Sequence, residues 1–368
     1  MQRHLLLIPF ALLSAASAVA QGPYPEIHPD RTVTFRVKAP AATNVMISLE
    51  ASTSTKMERD EQGLWKLTIG PLTPNIYAYS VWIDGMRMAD LGSPSVKPEP
   101  MPLSSMFEIP ADKPQIFDYV SSVPHGTLRL HDYDSRSLGK VRRMRVYTPP
   151  AYDQDPRARY PLLVLLHGGF DTEATWTEYG RAHFILDNLL ASRRATPMVI
   201  VMVDGFATRA TRDTSPASPS ETRTAFEDDL LNDAIPFVEA RYRIKPGRAY
   251  RAITGLSMGG GQALTIGLTH IDRFAWIGGM SASVAKQDMV LGEVLRAPKD
   301  ANKRLKLLWL SCGKSDGLMK GNIQMDEALR AADVRHTFVP IDGGHDWTVW
   351  RHALEEFLPL VFAEGKTK

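Results

Sequence analysis

Five short apolar runs in the last two-thirds of the chain constrain its fold more than any other feature. They lie at residues 160–166, 197–203, 250–255, 274–277 and 305–310. Their residues are apolar at successive positions, not at alternate ones. A strand reads this way when both of its faces are covered, as in a parallel sheet between two layers of helix. Amphipathic stretches lie between the runs. In 226–242, Leu230, Leu231, Ile235, Val238 and Tyr242 recur at helical spacing. The pattern predicts one open α/β domain over residues 125–365, with a mostly parallel sheet.

The first third of the chain obeys a different period. Val33, Phe35 and Val37 alternate with polar neighbours. Val45, Ile47 and Leu49, then Trp65, Leu67 and Ile69, then Tyr77, Tyr79, Val81 and Ile83 repeat the pattern. A period of two gives strands that bury one face each. Asp84-Gly85 is a hairpin turn signal, because glycine accepts positive φ. These features predict a small all-β sandwich over residues 25–110. Pro94, Pro98, Pro100, Pro102, Pro110 and Pro114 then punctuate a stretch without periodicity. It reads as a connector lying on the surface of its neighbours, with a linker at 111–124 between the two domains.

The start of the chain reads as an address. Arg3 and His4 precede an apolar stretch too short to span a bilayer, and Ala18-Val19-Ala20 fits signal-peptidase cleavage before Gln21. Residues 1–20 are thus expected to be a signal peptide, and the protein to be secreted, to periplasm or medium, with no membrane association after cleavage. Lys and Arg number 43 against 41 Asp and Glu. That near-balance gives no electrostatic reason to expect nucleic acid as a partner. Cys312 is the one cysteine, which excludes an intramolecular disulfide and a cysteine metal cluster.

Gly255-Leu256-Ser257-Met258-Gly259 carries the chemistry. It follows an apolar strand and opens a plausible helix, the context a nucleophile elbow requires. A serine hydroxyl needs a general base, and the base needs an orienting acid. In this type of fold the order along the chain is serine, acid, histidine. His345 sits in a glycine loop after a strand, whereas His270, His336 and His352 read as structural. Asp316 follows the run at 305–310 and falls on the same sheet edge. Asp342 and Asp346 are closer to His345 in sequence but would need sharp turns to reach it, and they read as solvated. Stabilising a tetrahedral oxyanion needs preorganised N–H groups. The residue after the nucleophile, Met258, supplies one, and Gly169 the other, with Phe170 as the alternative. His167 reads as a side chain that holds this loop. No dinucleotide fingerprint, P-loop, zinc spacing or calcium loop is present, so no metal or cofactor is expected.

Residues 125–363 resemble the bacterial feruloyl esterases of carbohydrate esterase family one, within the esterase-D-like α/β-hydrolases. LLHGGFDTEATW, GRAHFILDNLL, FEDDLLNDAIPFVEARYR, RAITGLSMGGGQAL, LKLLWLSCGKSDGL and GGHDWTVW carry the resemblance. It implies an α/β-hydrolase fold with nucleophile, acid and base at Ser257, Asp316 and His345. It also implies a hydroxycinnamoyl or acetyl ester on plant polysaccharide as substrate. Residues 31–97 resemble the immunoglobulin-like carbohydrate-binding module that often precedes such esterases, through VTFRVKAP, GLWKLTIGPL and DLGSPSVKP. Asp204-Gly205 departs from the Asn-Gly frequent in relatives. Trp176 and Trp347 flank the oxyanion and histidine loops and could stack on a flat acyl group, with core packing as the alternative. Trp65 alternates with core positions, while Trp82 lies on the opposite strand face from Val81 and Ile83 and is left open. Two other readings compete. One keeps the triad but takes acetyl xylan, a siderophore ester or a simple acyl ester. The other is a glycan-binding protein without catalysis.

Overall fold

The computed structural model describes residues 25–50, 52–209, 219–284 and 287–363. Residues 1–20, expected to be a signal peptide, lie outside them. Eight strands form the main sheet. They are β1 (Thr127–Ser135), β2 (Lys140–Thr148), β3 (Leu162–Leu166), β4 (Val199–Val203), β5 (Arg251–Gly255), β6 (Trp276–Met280), β7 (Leu307–Gly313) and β8 (Thr337–Ile341). Their spatial order is β1-β2-β4-β3-β5-β6-β7-β8. The β1–β2 and β2–β4 pairs are antiparallel and all the others parallel.

Strands β3 and β4 are buried at every position. Leu162, Val164 and Leu166 enter one apolar cluster with Leu264, Ile266 and Met325. Leu163 and Leu165 enter the other, with Ile185, Leu354 and Phe357. Successive side chains of one strand thus feed opposite cores, which is why the runs show no alternation. Four of the helices that supply these cores are α1 (Ala182–Ala191), α2 (Ser257–Thr269), α3 (Met319–Ala331) and α4 (Trp347–Phe357). No helix among the described residues is long and apolar enough to cross a membrane.

The hairpin β1–β2 was not legible as apolar runs. It forms the edge of the sheet, and β1 buries only Tyr133 and Ser135 of its nine residues. Its remaining positions are Thr127, Arg129, His131, Asp132 and Asp134, with Leu128 and Leu130 exposed among them, a polar majority of the kind an open edge tolerates.

Two smaller antiparallel sheets precede the hairpin. In one, Val33–Lys38 pairs with Leu64–Ile69. In the other, Val45–Leu49 pairs with Asn75–Ile83. Phe35, Val45, Ile47, Trp65, Tyr79 and Val81 pack between them. Trp65 is buried and its indole N–H donates to the Ala39 carbonyl at 2.9 Å. Asp84 and Gly85 both take positive φ, 47° and 86°, and turn the chain from Asn75–Ile83 into Met86–Met88.

The proline-punctuated stretch differs from expectation. Ser105–Ile109 is a strand paired with Asn75–Tyr79. Pro102 and Pro110 bracket it without entering its ladder, so the hydrogen-bonding residues between them remain free to pair. The segment at 111–124 is not a surface connector throughout. Phe117 is buried in the same cluster as Trp176, Tyr179 and Trp347. The Asn188 side-chain amide donates to the Ile116 and Asp118 carbonyls. One buried ring and two backbone acceptors fix a segment whose sequence has no period.

Candidate active site

The sharp turn from β5 into α2 sets the serine. Ser257 has φ 51°, a left-handed conformation that a residue with a Cβ adopts only under constraint. The constraint is close packing. A Cβ on Gly259 would lie 2.3 Å from the His167 carbonyl oxygen, and one on Gly255 would lie 2.7 Å from the Gly259 carbonyl. Only glycine lets β3, β5 and α2 approach this closely, and the hydroxyl is left at the rim of the sheet.

His345 lies between β8 and α4. Gly343, at φ 126°, makes the turn. Asp346 then caps α4, accepting from the Val349 and Gly344 N–H groups at 3.1 Å each. Asp346 is therefore a structural cap, not a solvated surface carboxylate. Asp342 is exposed and pairs with Lys314 at 2.7 Å. Asp316 follows β7, where its Oδ1 accepts from the Leu318 N–H at 2.7 Å.

The three side chains meet. His345 Nε2 is 2.9 Å from Ser257 Oγ, and His345 Nδ1 is 2.8 Å from Asp316 Oδ2. They are 88 and 29 residues apart in sequence. An ionised Asp316 can only accept, so Nδ1 carries the proton and Nε2 is free to take one from the serine. Burial pushes the Asp316 carboxyl up, but hydrogen bonds from His345, the Leu318 N–H and Ser281 outweigh it and hold the group below the usual carboxylate range. The imidazole also meets the Trp350 ring edge-on, at 4.9 Å and 89°.

The loop after β3 faces this group. Gly168, Gly169 and Phe170 line a cleft of about 320 Å³ together with Ser257 and His345. Phe170 has φ 64° and is 82% exposed, so its ring has no packing role in the core. Met258 lies in the first turn of α2, where backbone N–H groups have no acceptor within the helix. His167 holds the loop. Its Nε2 accepts from the Gly205 N–H at 2.8 Å, and its Nδ1 donates to the Gly168 carbonyl at 2.8 Å.

The other histidines are engaged elsewhere. His270 pairs with Glu227 and His336 with Asp326, at 2.7 and 2.8 Å. His352 lies 3.7 Å from Glu355 on α4. Among the described residues no group of three His, Cys, Asp or Glu side chains is arranged to hold a metal ion.

The tryptophans correct one expectation. Trp176 and Trp347 are each 1% exposed. Trp176 donates to the Leu166 carbonyl at 2.9 Å and packs against Trp347. It is core and offers no free face for an acyl group to stack on. Trp347 lines the cleft floor, but its surface is covered in the same way.

Sequence reasoning missed a set of charged residues from the N-terminal sheets. Glu50, Arg87, Lys97 and Glu99 also line the cleft. Lys97 is buried and lies 2.8 Å from Glu50, 3.3 Å from Asp171 and 3.5 Å from Glu99. Asp171 belongs to the loop that carries Gly169. Burial alone would lower the lysine pKa, but these carboxylates hold it above its ordinary value. Below it, Arg351 on α4 is fully buried and donates to Asn75 Oδ1 at 2.8 Å and to the Tyr179 carbonyl. Asn75 in turn donates to Thr348 Oγ1 at 2.6 Å. The loop of Gly169 and helix α4, which follows the His345 loop, are thus fastened to residues from the first third of the chain.

An elbow serine, a downstream acid and a late histidine on a mixed eight-stranded sheet define a hydrolase of the α/β class. The chain belongs to the Esterase family, described as putative esterases, whose pattern matches residues 135–361. It is 30% identical over 347 residues to an endo-1,4-beta-xylanase/feruloyl esterase of Xylanibacter ruminicola, covering 92% of this chain and 46% of that one. The chain spans about half the length of the curated relatives it matches. A solved ferulic acid esterase is 30% identical with a TM-score of 0.57, over 64% of this chain and 98% of that one. The enterobactin esterase of Shigella flexneri, at 21% identity and a TM-score of 0.65, matches over 89% of this chain and 92% of its own, a likeness of fold.

Proposed function

We propose that the protein is a secreted serine carboxylesterase that acts through an acyl-enzyme. Ser257 Oγ attacks the ester carbonyl while its proton passes to His345 Nε2. The N–H groups of Met258 and Gly169 receive the oxyanion, with Phe170 as the alternative donor to Gly169. The imidazolium, steadied by Asp316, protonates the departing alcohol and the acyl-enzyme remains. Water then enters, gives a proton to His345, and the acid leaves as Ser257 Oγ takes that proton back. No step calls for a metal or cofactor. The observation that carries this reading is the unbroken contact from Ser257 through His345 to Asp316, at 2.9 and 2.8 Å.

The favoured acyl group is ferulate or a related hydroxycinnamate, and the favoured source is plant cell-wall polysaccharide. The feruloyl esterase relatives support this choice. The two sheets before residue 110 are read as an immunoglobulin-like module of the carbohydrate-binding type. A siderophore ester is the second reading, favoured by the fold likeness to enterobactin esterase over most of the chain. Turnover of methyl ferulate, an acetylated xylan, enterobactin and p-nitrophenyl acetate separates the cases. Release of ferulate from feruloylated arabinoxylan is the expected result. Rapid hydrolysis of p-nitrophenyl acetate with methyl ferulate untouched would remove the feruloyl assignment. A glycan-binding scaffold without catalysis would turn over none of them.

A further inference from the structure

The cleft at Ser257 does not end at the catalytic residues. A second cavity of about 260 Å³ shares Glu50, Arg87 and Glu99 with it. The two spaces form one groove, running from the serine over the sheet that holds Val45–Leu49 and Asn75–Ile83. Ser48, Ser52, Ser80 and Ser104 bring four hydroxyls to the far part of its lining, alongside Leu49, Ala78 and Tyr79. Trp82 stands at its side, and the indole N–H has no hydrogen-bond partner among the described residues.

Arg87 is the pivot. Its Nε donates to Ser80 Oγ at 2.9 Å and its Nη2 to Ser104 Oγ at 3.0 Å. Two serines therefore fix the plane of an otherwise exposed guanidinium, while Nη1 has no partner among the described residues. Beside it the Glu50 and Glu99 carboxylates can only accept. A fixed donor next to carboxylate acceptors, with hydroxyls that do both, complements neighbouring hydroxyl groups on one ligand. The indole can cover the C–H face of a sugar ring. A long acyl chain would not match walls that carry Arg87, Glu50 and Glu99.

We infer that this groove is a saccharide subsite for the alcohol half of the ester, with Arg87 as its specificity-determining residue. The inference rests on the esterase reading and adds which part of the substrate is held, and where. Two readouts on the full chain test it. The first is the ratio of kcat/KM for a feruloylated arabinoxylo-oligosaccharide to that for methyl ferulate. Arg87→Met should lower this ratio about tenfold, the scale of one lost hydrogen bond to a charged group. The second is calorimetric titration of Ser257→Ala with the same oligosaccharide stripped of its ester. The affinity should fall about tenfold when Arg87→Met is added. Binding by Ser257→Ala that weakens in the double variant supports the subsite even if ferulate esters prove not to be substrates. A ratio unchanged by Arg87→Met, or no heat from the oligosaccharide, overturns it.

Discussion

Ser257, His345 and Asp316 each depend on a different local device: a strained turn, a glycine loop with a cap, and a carboxylate pinned by a backbone N–H. Removing the proposed nucleophile in Ser257→Ala should lower kcat on a small aryl ester by about 10⁴- to 10⁶-fold, measured by initial rates. Near-normal turnover would contradict the proposed role. Asp316 also makes a claim about pH. Its pKa is depressed on folding, so its stabilising contribution is present above the ordinary carboxylate range and is lost as pH falls through the depressed value. The difference in Tm between the wild type and Asp316→Asn should therefore be largest near neutral pH and close on acidification. A gap that stays constant with pH would show that the charge of Asp316 is not what stabilises. Cys312, buried beside Asp316, has its thiol pushed up to about 12 by burial first and by that carboxylate second. Iodoacetamide at neutral pH should leave it unmodified until the protein is unfolded, as intact mass would show.

The elements explain which parts of the molecule were legible in its sequence. A central strand covered on both faces, such as β3 or β4, must be apolar throughout, so it announces itself. The edge hairpin β1–β2 carries charge on its open side, and the strand Ser105–Ile109 hides between prolines. Neither has the pattern that a buried strand leaves. The Ser257 turn was readable because its glycines are demanded locally. Gly259→Ala tests that demand. With only 2.3 Å to the His167 carbonyl, the methyl must displace β3 or α2. A Tm several degrees lower is expected, on the order of 1–3 kcal/mol, together with slower reaction of Ser257 with a fluorophosphonate. A variant as stable and reactive as the wild type would mean that the close approach is not what shapes the turn.

On the scale of the whole molecule, the first third of the chain is joined to the active site through buried polar contacts. Arg351 and Asn75 are 276 residues apart, and Lys97 reaches the loop of Asp171. Sequence gives no local signal for such pairs, since neither partner's neighbours reveal the other. Ile76, Ala78 and Phe117 share one apolar cluster with Tyr179 and Trp347. The two-domain division at 111–124 is thus a division of secondary structure across a common core. Asn75→Leu would leave a donor of the buried Arg351 unpaired, costing about 1–3 kcal/mol. Calorimetry should show a single unfolding transition in both proteins, at lower temperature in the variant. Two separate transitions would mean that the halves fold independently.

These contacts converge on the hydroxyl that we propose is made reactive by an imidazole and its buried carboxylate partner. The most direct measurement is intact-mass and peptide mapping after brief exposure to a fluorophosphonate at neutral pH, for the wild type and for His345→Ala. One adduct on Ser257, formed quickly in the wild type and slowed by orders of magnitude without His345, is the expected result. An adduct on another residue, or equal rates in the two proteins, would contradict it.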